Sequence, residues 1–272
     1  MATQEAIQSN QGIIQKYQQE INQLRDENAQ SIHFPDEFLL RCLFSRNMDV
    51  IRASLLVSNA VRLHEDYNIM LDMKRLNMDV LGVSLGYVSR AKTLEGHHII
   101  YNDIEKWNPR KVSYYDSNYN LTLLQGAVGW NDLAAAKAGI VVITDALVVN
   151  LHHIKEVTFS HKSTSISSTA LTNYLPYNNK YNLVINASYG ANICWKGASL
   201  VMPKQMVESM HFIRKGDKQT LAKYFSKEVI ENELYKPTQA DLEWSQQLAT
   251  RYANYRNKLY QDIIKNIDGK DV

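Results

Sequence analysis

The sequence predicts an α/β protein in which a helical N-terminal lobe precedes a mainly parallel sheet that is covered by helices. Apolar residues recur at helical spacing up to about residue 85, and short apolar or β-branched runs follow at 98–101, 140–144, 183–186 and 210–213. The stretches between these runs, 113–137, 152–175 and 189–209, are long enough for the crossover helices that parallel strands require. We therefore expect a helical lobe at 1–85, a sheet domain at 86–237 and a C-terminal helix at 238–272.

The elements of the lobe follow from caps and apolar stripes. Residues 5–29 are rich in Gln and Glu, and their apolar residues form one helical stripe: Ile13, Ile14, Tyr17, Ile21 and Leu24. Pro35 interrupts the chain, and Asp36 is a candidate cap for the next helix. Asp49 is a candidate cap for a further helix, which carries Val50, Ala53, Leu56, Val57, Ala60 and Leu63 on one side. At the other end of the sequence, 239–266 shows the same helical spacing.

Composition excludes several classes of protein. The 272 residues are 45% hydrophobic and 21% charged, which is typical of a globular chain and too apolar for a disordered one. A formal net charge of +2 argues against nucleic acid as the partner, because that binding depends on a large basic excess. Cys42 and Cys194 form no CxxC pair, and no stretch is apolar over the length of a membrane span. With no signal-peptide pattern at the start, we expect a cytoplasmic protein with reduced thiols.

No pattern of catalytic residues is evident. The sequence lacks the glycine-rich phosphate loops and the GxSxG nucleophile motif. Two histidine pairs, His97-His98 and His152-His153, and the single His161 have neither strand nor helix spacing for a shared metal. We interpret them as ordinary surface or half-buried residues. The sequence therefore predicts no catalytic set, no metal site and no cofactor.

Several motifs, in order along the chain, resemble one known family. Asp36–Leu43 and Ser45–Val50 resemble the D-x-F-L-L-R-F-L-R-A-R-x-F-D-V opening of the CRAL-TRIO lipid-binding family. Four further segments are similar to its later strands and helices: 99–109, 139–145, 175–186 and 221–225. The resemblance extends from about residue 34 to 237. Within the family, the sequence most resembles the branch of α-tocopherol transfer protein and retinaldehyde-binding protein.

This resemblance implies a helical lobe, a mixed sheet that forms the floor of a pocket, and a mobile gate helix at 189–202 that closes over one lipid. It implies a monomeric carrier that moves a hydrophobic small molecule between membranes and contacts phosphoinositide-containing membranes peripherally. Gly190 and Gly197 predict a gate that opens readily or is interrupted. The alternative is a trafficking or signalling adaptor that uses the same fold to bind membranes and protein partners. An enzyme that acts on a bound lipid is the third class considered, and the missing catalytic set argues against it.

Alternate residues of a strand share a face, so Ile140, Val142 and Thr144 lie on the same side. The resemblance implies that this side faces the ligand. The other candidate pocket residues are Gln125, Ser167, Leu171, Leu175, Asn182, Ile193 and Val201. Each of them could instead belong to an ordinary core. Since the set is mostly apolar with a few polar members, it suits a ligand with one hydroxyl or carbonyl end, such as a tocopherol, retinoid, carotenoid or sterol.

The resemblance also places Arg46 and Lys180 at two basic positions of a phosphoinositide-binding cleft. At the other two positions this chain has Asn178 and either Ser209 or Met210, none of which carries a charge. Nearby cations that could compensate are Arg214, Lys215 and Lys218.

Overall fold

A computed structural model describes residues 4–67, 86–130, 132–159, 175–233 and 237–268. Its N-terminal lobe contains α1 (Gln4–Lys16), α2 (Gln18–Glu27), α3 (Asp36–Ser45) and α4 (Val50–Tyr67), with a short 3₁₀ turn at Ala29–His33. The single helix expected at 5–29 is thus two helices, which meet at Tyr17. Within the described range the lobe is helical, as the sequence predicted.

Buried apolar side chains of α2, α3 and α4 pack together as the core of the lobe. The turn between α2 and α3 is fixed by Arg25, whose guanidinium donates to the carbonyls of Ser31 and Phe34 and pairs with Asp36 at 2.7 Å. Asp36 is therefore not the cap that we expected: Pro35 occupies the cap position of α3, and the Asp36 carboxylate lies inside the first turn. The same core receives Leu133 and Ile263 from other parts of the chain.

The sheet has five strands in the order β1-β2-β3-β4-β5. They are β1 (Gly86–Lys92), β2 (His98–Asp103), β3 (Ile140–Asp145), β4 (Asn179–Ala187) and β5 (Met210–Arg214). The pair β1/β2 is antiparallel and the remaining pairs are parallel, which confirms the mixed, mainly parallel sheet. We did not predict β1, because Ser89, Arg90 and Lys92 give it a polar sequence.

Helices connect the strands. Between β2 and β3 lie α5 (Tyr114–Val128) and α6 (Leu133–Ala138), and α7 (Leu151–Phe159) follows β3. Between β4 and β5 lie α8 (Tyr189–Ser199) and α9 (Lys204–Glu208), and the short α10 (Lys218–Leu221) follows β5. The chain closes with α11 (Gln239–Asp268). Among the helices described here, none is long and apolar enough to cross a membrane.

The two faces of the sheet are covered differently. On the outer face, the strand residues pack against the segment 221–230 and form a continuous core: Tyr101, Val141, Ile143, Leu183, Ile185 and Ile213 with Leu221, Phe225, Val229 and Ile230. On the inner face, α5 and α11 pack on Val88, Ile100 and Ile140. Farther along the same face, Ala191 of α8 packs on Ala146 and Val184. These two groups of helices contact different parts of the inner face.

The last helix joins both parts of the fold. Near its start, Ser245 accepts a hydrogen bond from the backbone N–H of Val88 at 2.9 Å, so it satisfies a donor on the edge strand β1. In its middle, Ala249, Tyr252 and Ala253 belong to the core that α5 makes with the sheet. Near its end, Ile263 enters the core of the N-terminal lobe. Helix α11 therefore holds the lobe against the sheet domain.

Candidate functional site

A cavity of about 190 Å³ lies between the inner face of the sheet and the covering helices. By the same measure a void needs only about 10–15 Å³ to hold one water molecule, so this space can hold a much larger guest. Its floor is formed by alternate residues of four adjacent strands: Asn102, Val142, Thr144, Asn182, Val184, Met210 and Phe212. These positions share a face because successive side chains on a strand point to opposite sides.

One wall of the cavity comes from α5. Its lining residues recur at intervals of three and four, which is the spacing of one helix face: Tyr114, Ser117, Leu121, Thr122 and Gln125. The other side of α5 places Leu123, Leu124 and Ala127 in the core with α11. Helix α5 is thus apolar toward α11 and partly polar toward the cavity.

The opposite wall is α8 with the segment that follows it. Ala191, Trp195 and Ala198 of α8 face the cavity, and the ring of Trp195 lies 5.4 Å from that of Phe212. Two methionines, Met202 and Met206, continue this wall, and a third, Met210 of β5, belongs to the floor. Methionine is unbranched and polarisable, so it adapts to apolar surfaces of different shape. The helix is continuous through Gly190 and Gly197 and ends at Ser199, so the interrupted gate that we considered is not observed.

Gly190 lies where α8 packs closely on a neighbouring segment, not where the helix is loosely held. A Cβ atom at this position would lie 3.1 Å from the carbonyl oxygen of Val149 and 3.5 Å from Cδ1 of Ile154. The first turn of α8, which Ser188 caps by accepting from the Ala191 N–H, therefore packs directly on the segment that begins α7. Any opening of α8 has to separate this contact.

His153, the one histidine that lines the cavity among the described residues, has a structural role. Its Nδ1 accepts from the backbone N–H of Asn150 at 3.2 Å, and its Nε2 lies 3.0 Å from the carbonyl of Trp107. The Trp107 indole N–H donates in turn to the carbonyl of Val112. The Nδ1 contact thus stabilises the start of α7, and the Nε2 contact joins α7 to the segment that follows β2.

The other histidines that the structure describes do not assemble a metal site. His97 contacts Glu95 and the carbonyl of Ala138, and His152 contacts Arg110. Across the described parts of the chain, no group of three or more metal-binding side chains comes together. His161 lies outside those residues.

A polar network that the sequence did not reveal lies at the carboxyl ends of the central strands. The buried Asp145 carboxylate accepts from the Tyr101 hydroxyl at 2.7 Å and from the Asn186 amide at 3.0 Å. Burial, together with the bond to Asp145, raises the pKa of Tyr101 above its usual range, so this hydroxyl stays a donor. The network ties β2, β3 and β4 together at the edge where the chain leaves for α7 and α8.

Comparison with known proteins identifies the family. The sequence profile described as "CRAL/TRIO domain" matches residues 83–234, which is more than half of the chain. The chain belongs to the CRAL/TRIO domain family. No curated protein matches the chain. A solved structure described as "Crystal structure of Sfh5" is similar over 86% of this chain and 82% of that chain, with 9% identity and a TM-score of 0.44.

Members of the CRAL/TRIO domain family are lipid-binding transfer proteins, and nothing in the described residues of this chain indicates catalysis. The described architecture agrees with the family: a helical N-terminal region precedes a mixed, mostly parallel five-stranded sheet. Membership therefore establishes the fold and the general class of this protein.

The residues that we predicted for the pocket fall into three groups in this CRAL/TRIO domain. Gln125, Val142, Thr144 and Asn182 line the cavity. Ile140 and Leu175 are buried beside it, in the core that α5 and α11 share. The third group does not reach the cavity within the described residues: Ile193 points outward with 39% of its surface exposed, Val201 is not part of the wall, and Ser167 and Leu171 lie outside the described residues.

Several lining residues were missed, among them Trp107, Tyr114, Leu121, Trp195 and Phe212. A signal for two of them was present in the sequence, because Tyr114, Leu121 and Gln125 lie on one helical face. We had assigned no helix bounds within 113–137, so we could not determine which residues share that face. Trp107 and Phe212 had no such signal, since their approach to the cavity depends on how the strands are ordered.

The predicted cations do not form one cluster. Lys180 is at the amino end of β4, where its side chain packs against Gly139, and burial lowers its pKa. Arg214 pairs with Ala187 at the carboxyl end of the same strand, and Lys215 and Lys218 follow it. Seven residues of extended strand span roughly 23 Å, so the backbone of Arg214 lies far from that of Lys180.

Arg46, the remaining cation, ends α3 and donates to the carbonyl of Ser45; burial is also the main cause that lowers its pKa. The two neutral residues at the expected cleft positions have internal partners. Asn178 donates to the carbonyls of Ala136 and Lys137, and Ser209 accepts from the amide of Asn182. They hold the ends of α6 and β4 in place rather than leaving room for a charge.

Proposed function

We propose that this protein holds one neutral hydrophobic lipid in the cavity between the sheet and α8, and transfers it between membranes. The observation that carries the proposal is the cavity of about 190 Å³, whose wall is mainly aromatic, aliphatic and methionine side chains. Burial of an apolar ligand there is favourable by about 25 cal/mol per Å² removed from water. A tocopherol, retinoid, carotenoid or sterol matches a wall of this composition.

The proposal also includes the family branch, the location, the oligomeric state and the domain division of the carrier. We place it in the branch of α-tocopherol transfer protein and retinaldehyde-binding protein, working as a cytoplasmic monomer without a cofactor. We also keep the division into a lobe at 1–85, a lipid-binding domain at 86–237 and a C-terminal helix at 238–272. The contacts of α11 with both neighbouring parts support treating it as the clamp between them.

Exit of the lipid requires α8 to move, and the outer surface around α8 suits contact with a bilayer. Three large apolar side chains there are more than four-fifths exposed: Leu151 at 81%, Tyr189 at 83% and Leu200 at 82%. We call these three residues the apolar rim. Transfer of a Leu side chain out of water yields about 1.5–3 kcal/mol, so a membrane can offset the cost of separating α8 from α7.

A second function, the adaptor, is favoured by a separate surface. The N-terminal lobe exposes Ile32, Ile51 and Leu55, with 74%, 73% and 63% of their surfaces accessible. A patch of this kind suits a protein partner. We prefer the carrier, because an adaptor has no need of an internal cavity.

Replacement of Val142 by Asp tests the pocket. Val142 is buried on the cavity floor, where an added carboxylate would face apolar groups, so we expect affinity for a fluorescent neutral lipid to fall at least tenfold. Val142→Ala, which keeps the wall apolar, should bind within a few-fold of wild type. Thermal unfolding followed by circular dichroism checks that both variants fold. Full affinity in a folded Val142→Asp variant would show that the lipid lies elsewhere.

Replacement of the apolar rim tests membrane contact. Leu151→Gln with Leu200→Gln should slow lipid transfer between vesicles several-fold, because two exposed leucines no longer enter the bilayer. Lipid affinity should not change, since neither residue lines the cavity. The control is Ile51→Gln with Leu55→Gln, which removes two apolar residues of the lobe that are also largely exposed, at 73% and 63%. Equal transfer rates for both double variants would contradict the role of the rim.

We further propose that Arg46 and Lys180 recognise a phosphoinositide headgroup. Arg46→Ala with Lys180→Ala should weaken binding to vesicles containing phosphatidylinositol bisphosphate by about 2 kcal/mol, roughly thirtyfold, at about 1 kcal/mol for each cation. The control Arg214→Ala with Lys218→Ala removes the same charge from the other end of β4. Vesicle binding of the two double variants is compared in a co-sedimentation assay. A larger loss in the control would move the headgroup site to the carboxyl end of the sheet.

A further inference from the structure

The start of α7 is a capping box in which a histidine takes the place usually held by glutamate or glutamine. Asn150 is the cap residue, because its carbonyl accepts the first helical hydrogen bond, from the Ile154 N–H at 3.0 Å. Its side-chain oxygen accepts from the backbone N–H groups of His152 at 3.0 Å and His153 at 3.3 Å. In return, the Asn150 N–H donates to Nδ1 of His153 at 3.2 Å. This reciprocal pair between the cap and the third helical residue is the capping-box pattern.

The cap requires a neutral imidazole. A backbone N–H can only donate, so Nδ1 of His153 has to be the acceptor. The ring proton is then on Nε2, which donates to the carbonyl of Trp107 at 3.0 Å. A second proton would turn Nδ1 into a donor that faces the Asn150 N–H. It would also place a positive charge at the amino end of a helix, where cations are disfavoured. Protonation of His153 and formation of the cap therefore oppose each other.

The cap lies within the segment on which α8 packs. A Cβ atom at Gly190 would lie 3.1 Å from the carbonyl oxygen of Val149 and 3.5 Å from Cδ1 of Ile154. Val149 directly precedes the cap residue Asn150, and Ile154 directly follows His153. Loss of the cap therefore disturbs the surface against which the first turn of α8 is held. His153 also lines the cavity, so a bound lipid lies beside the same ring.

The charged and titratable groups around the cap come from α7 and from the elements packed against it. Nε2 of His152 accepts from the Arg110 guanidinium at 2.6 Å, and the Glu156 carboxylate accepts from the Tyr114 N–H at the start of α5 at 3.2 Å. Other charged side chains on these elements and on α8 include Asp103, Glu105, Lys106, Lys111, Asp116, Lys155 and Lys196. Histidine is the side-chain type in this set that ordinarily changes charge between pH 5 and 8. Mild acid therefore acts here through His152 or His153.

We propose that the Asn150–His153 capping box is a proton-sensitive cap: in mild acid, a proton on His153 breaks it, loosens the contact of α8 with α7 and speeds release of the bound lipid. This inference rests on the proposed carrier function and adds the condition that favours release. The cap stabilises the closed position of α8 at neutral pH, and this stabilisation is lost as the pH falls, because the cap depends on the unprotonated ring. The negative surface potential of an anionic membrane attracts protons as it attracts other cations, so arrival at such a membrane acts in the same direction.

The test measures how fast bound lipid leaves the protein for phosphatidylcholine vesicles at about pH 7.5 and about pH 5.5. These vesicles carry no net charge, which removes electrostatic attraction to the membrane as a variable. The probes are retinol, α-tocopherol and dehydroergosterol, all fluorescent, and the one that binds most tightly at the higher pH is used. We expect wild type to release it about tenfold faster at the lower pH, equivalent to about 1.4 kcal/mol in the barrier.

His153→Gln separates the cap from other effects of acid. Glutamine is a usual capping-box residue, and its side-chain oxygen accepts from the Asn150 N–H at both pH values. The ratio of its two release rates should therefore be close to one, whatever the rate at neutral pH. His152→Gln is the matched control, because it removes the neighbouring histidine and its contact with Arg110 while leaving the cap. This control should keep the tenfold acceleration. Circular dichroism at both pH values checks that the variants are folded.

Three results of the release assay would overturn the proposal: no acceleration by acid in wild type, acceleration that persists in folded His153→Gln, or acceleration that is lost in His152→Gln. Hydrogen exchange of lipid-free wild type, corrected for the intrinsic effect of pH on exchange, tests the cap without a variant. Amides of 151–155 and 189–199 should lose protection at the lower pH, and unchanged protection would overturn the proposal as well. Failure of wild type to bind any of the three probes would instead contradict the carrier function, and the exchange experiment would still test the cap.

Discussion

The inner face of the sheet is covered at two places by two different groups of helices, and the space between them depends on this arrangement. Toward the amino ends of β2 and β3, α5 and α11 pack on Val88, Ile100 and Ile140. Toward the carboxyl ends, Ala191 of α8 packs on Ala146 and Val184. Protein interiors normally pack as densely as organic crystals, so a cavity of about 190 Å³ persists only where the covering elements cannot meet. Here α11 packs with α5 on one part of the sheet, and Gly190 allows α8 to pack closely on the segment that begins α7.

The floor and the cover of this cavity differ in how they are held. The floor belongs to a sheet whose outer face is packed against the segment 221–230, and whose central strands are joined by the Asp145 network. The cover, α8, rests on α7 and on small residues such as Ala191. Elements with fewer buried apolar contacts open at lower free energy than the core of a protein. The arrangement therefore favours motion of α8 over a floor that stays intact.

Much of the fold could be predicted from local patterns, because buried parallel strands are continuous apolar runs and their helices are amphipathic. Four of the five strands were found in this way. The strand β1 was not, since an antiparallel edge strand carries polar residues on its exposed positions, here Arg90 and Lys92. Asp36 was misassigned as a cap because its partner, Arg25, is eleven residues away, and no local sequence pattern indicates that contact.

The candidate site was less predictable, for a physical reason that β3 illustrates. Ile140 and Val142 share a face, as the period of two requires, yet Ile140 is core and Val142 borders the cavity. Strand periodicity gives the face of a residue, and tertiary packing decides what lies above it. The same limit applies to His153, which lines the cavity although the sequence predicted an ordinary histidine.

The most direct measurement of the central claim is the lipid content of the protein itself. Native protein, purified without detergent from tissue or cells that supply neutral lipids, is analysed by native mass spectrometry and, after organic extraction, by lipid mass spectrometry. The account predicts one neutral lipid per chain, retained through purification and released on unfolding. Protein that is consistently empty, or that carries a random mixture of membrane phospholipids far below one per chain, would contradict it.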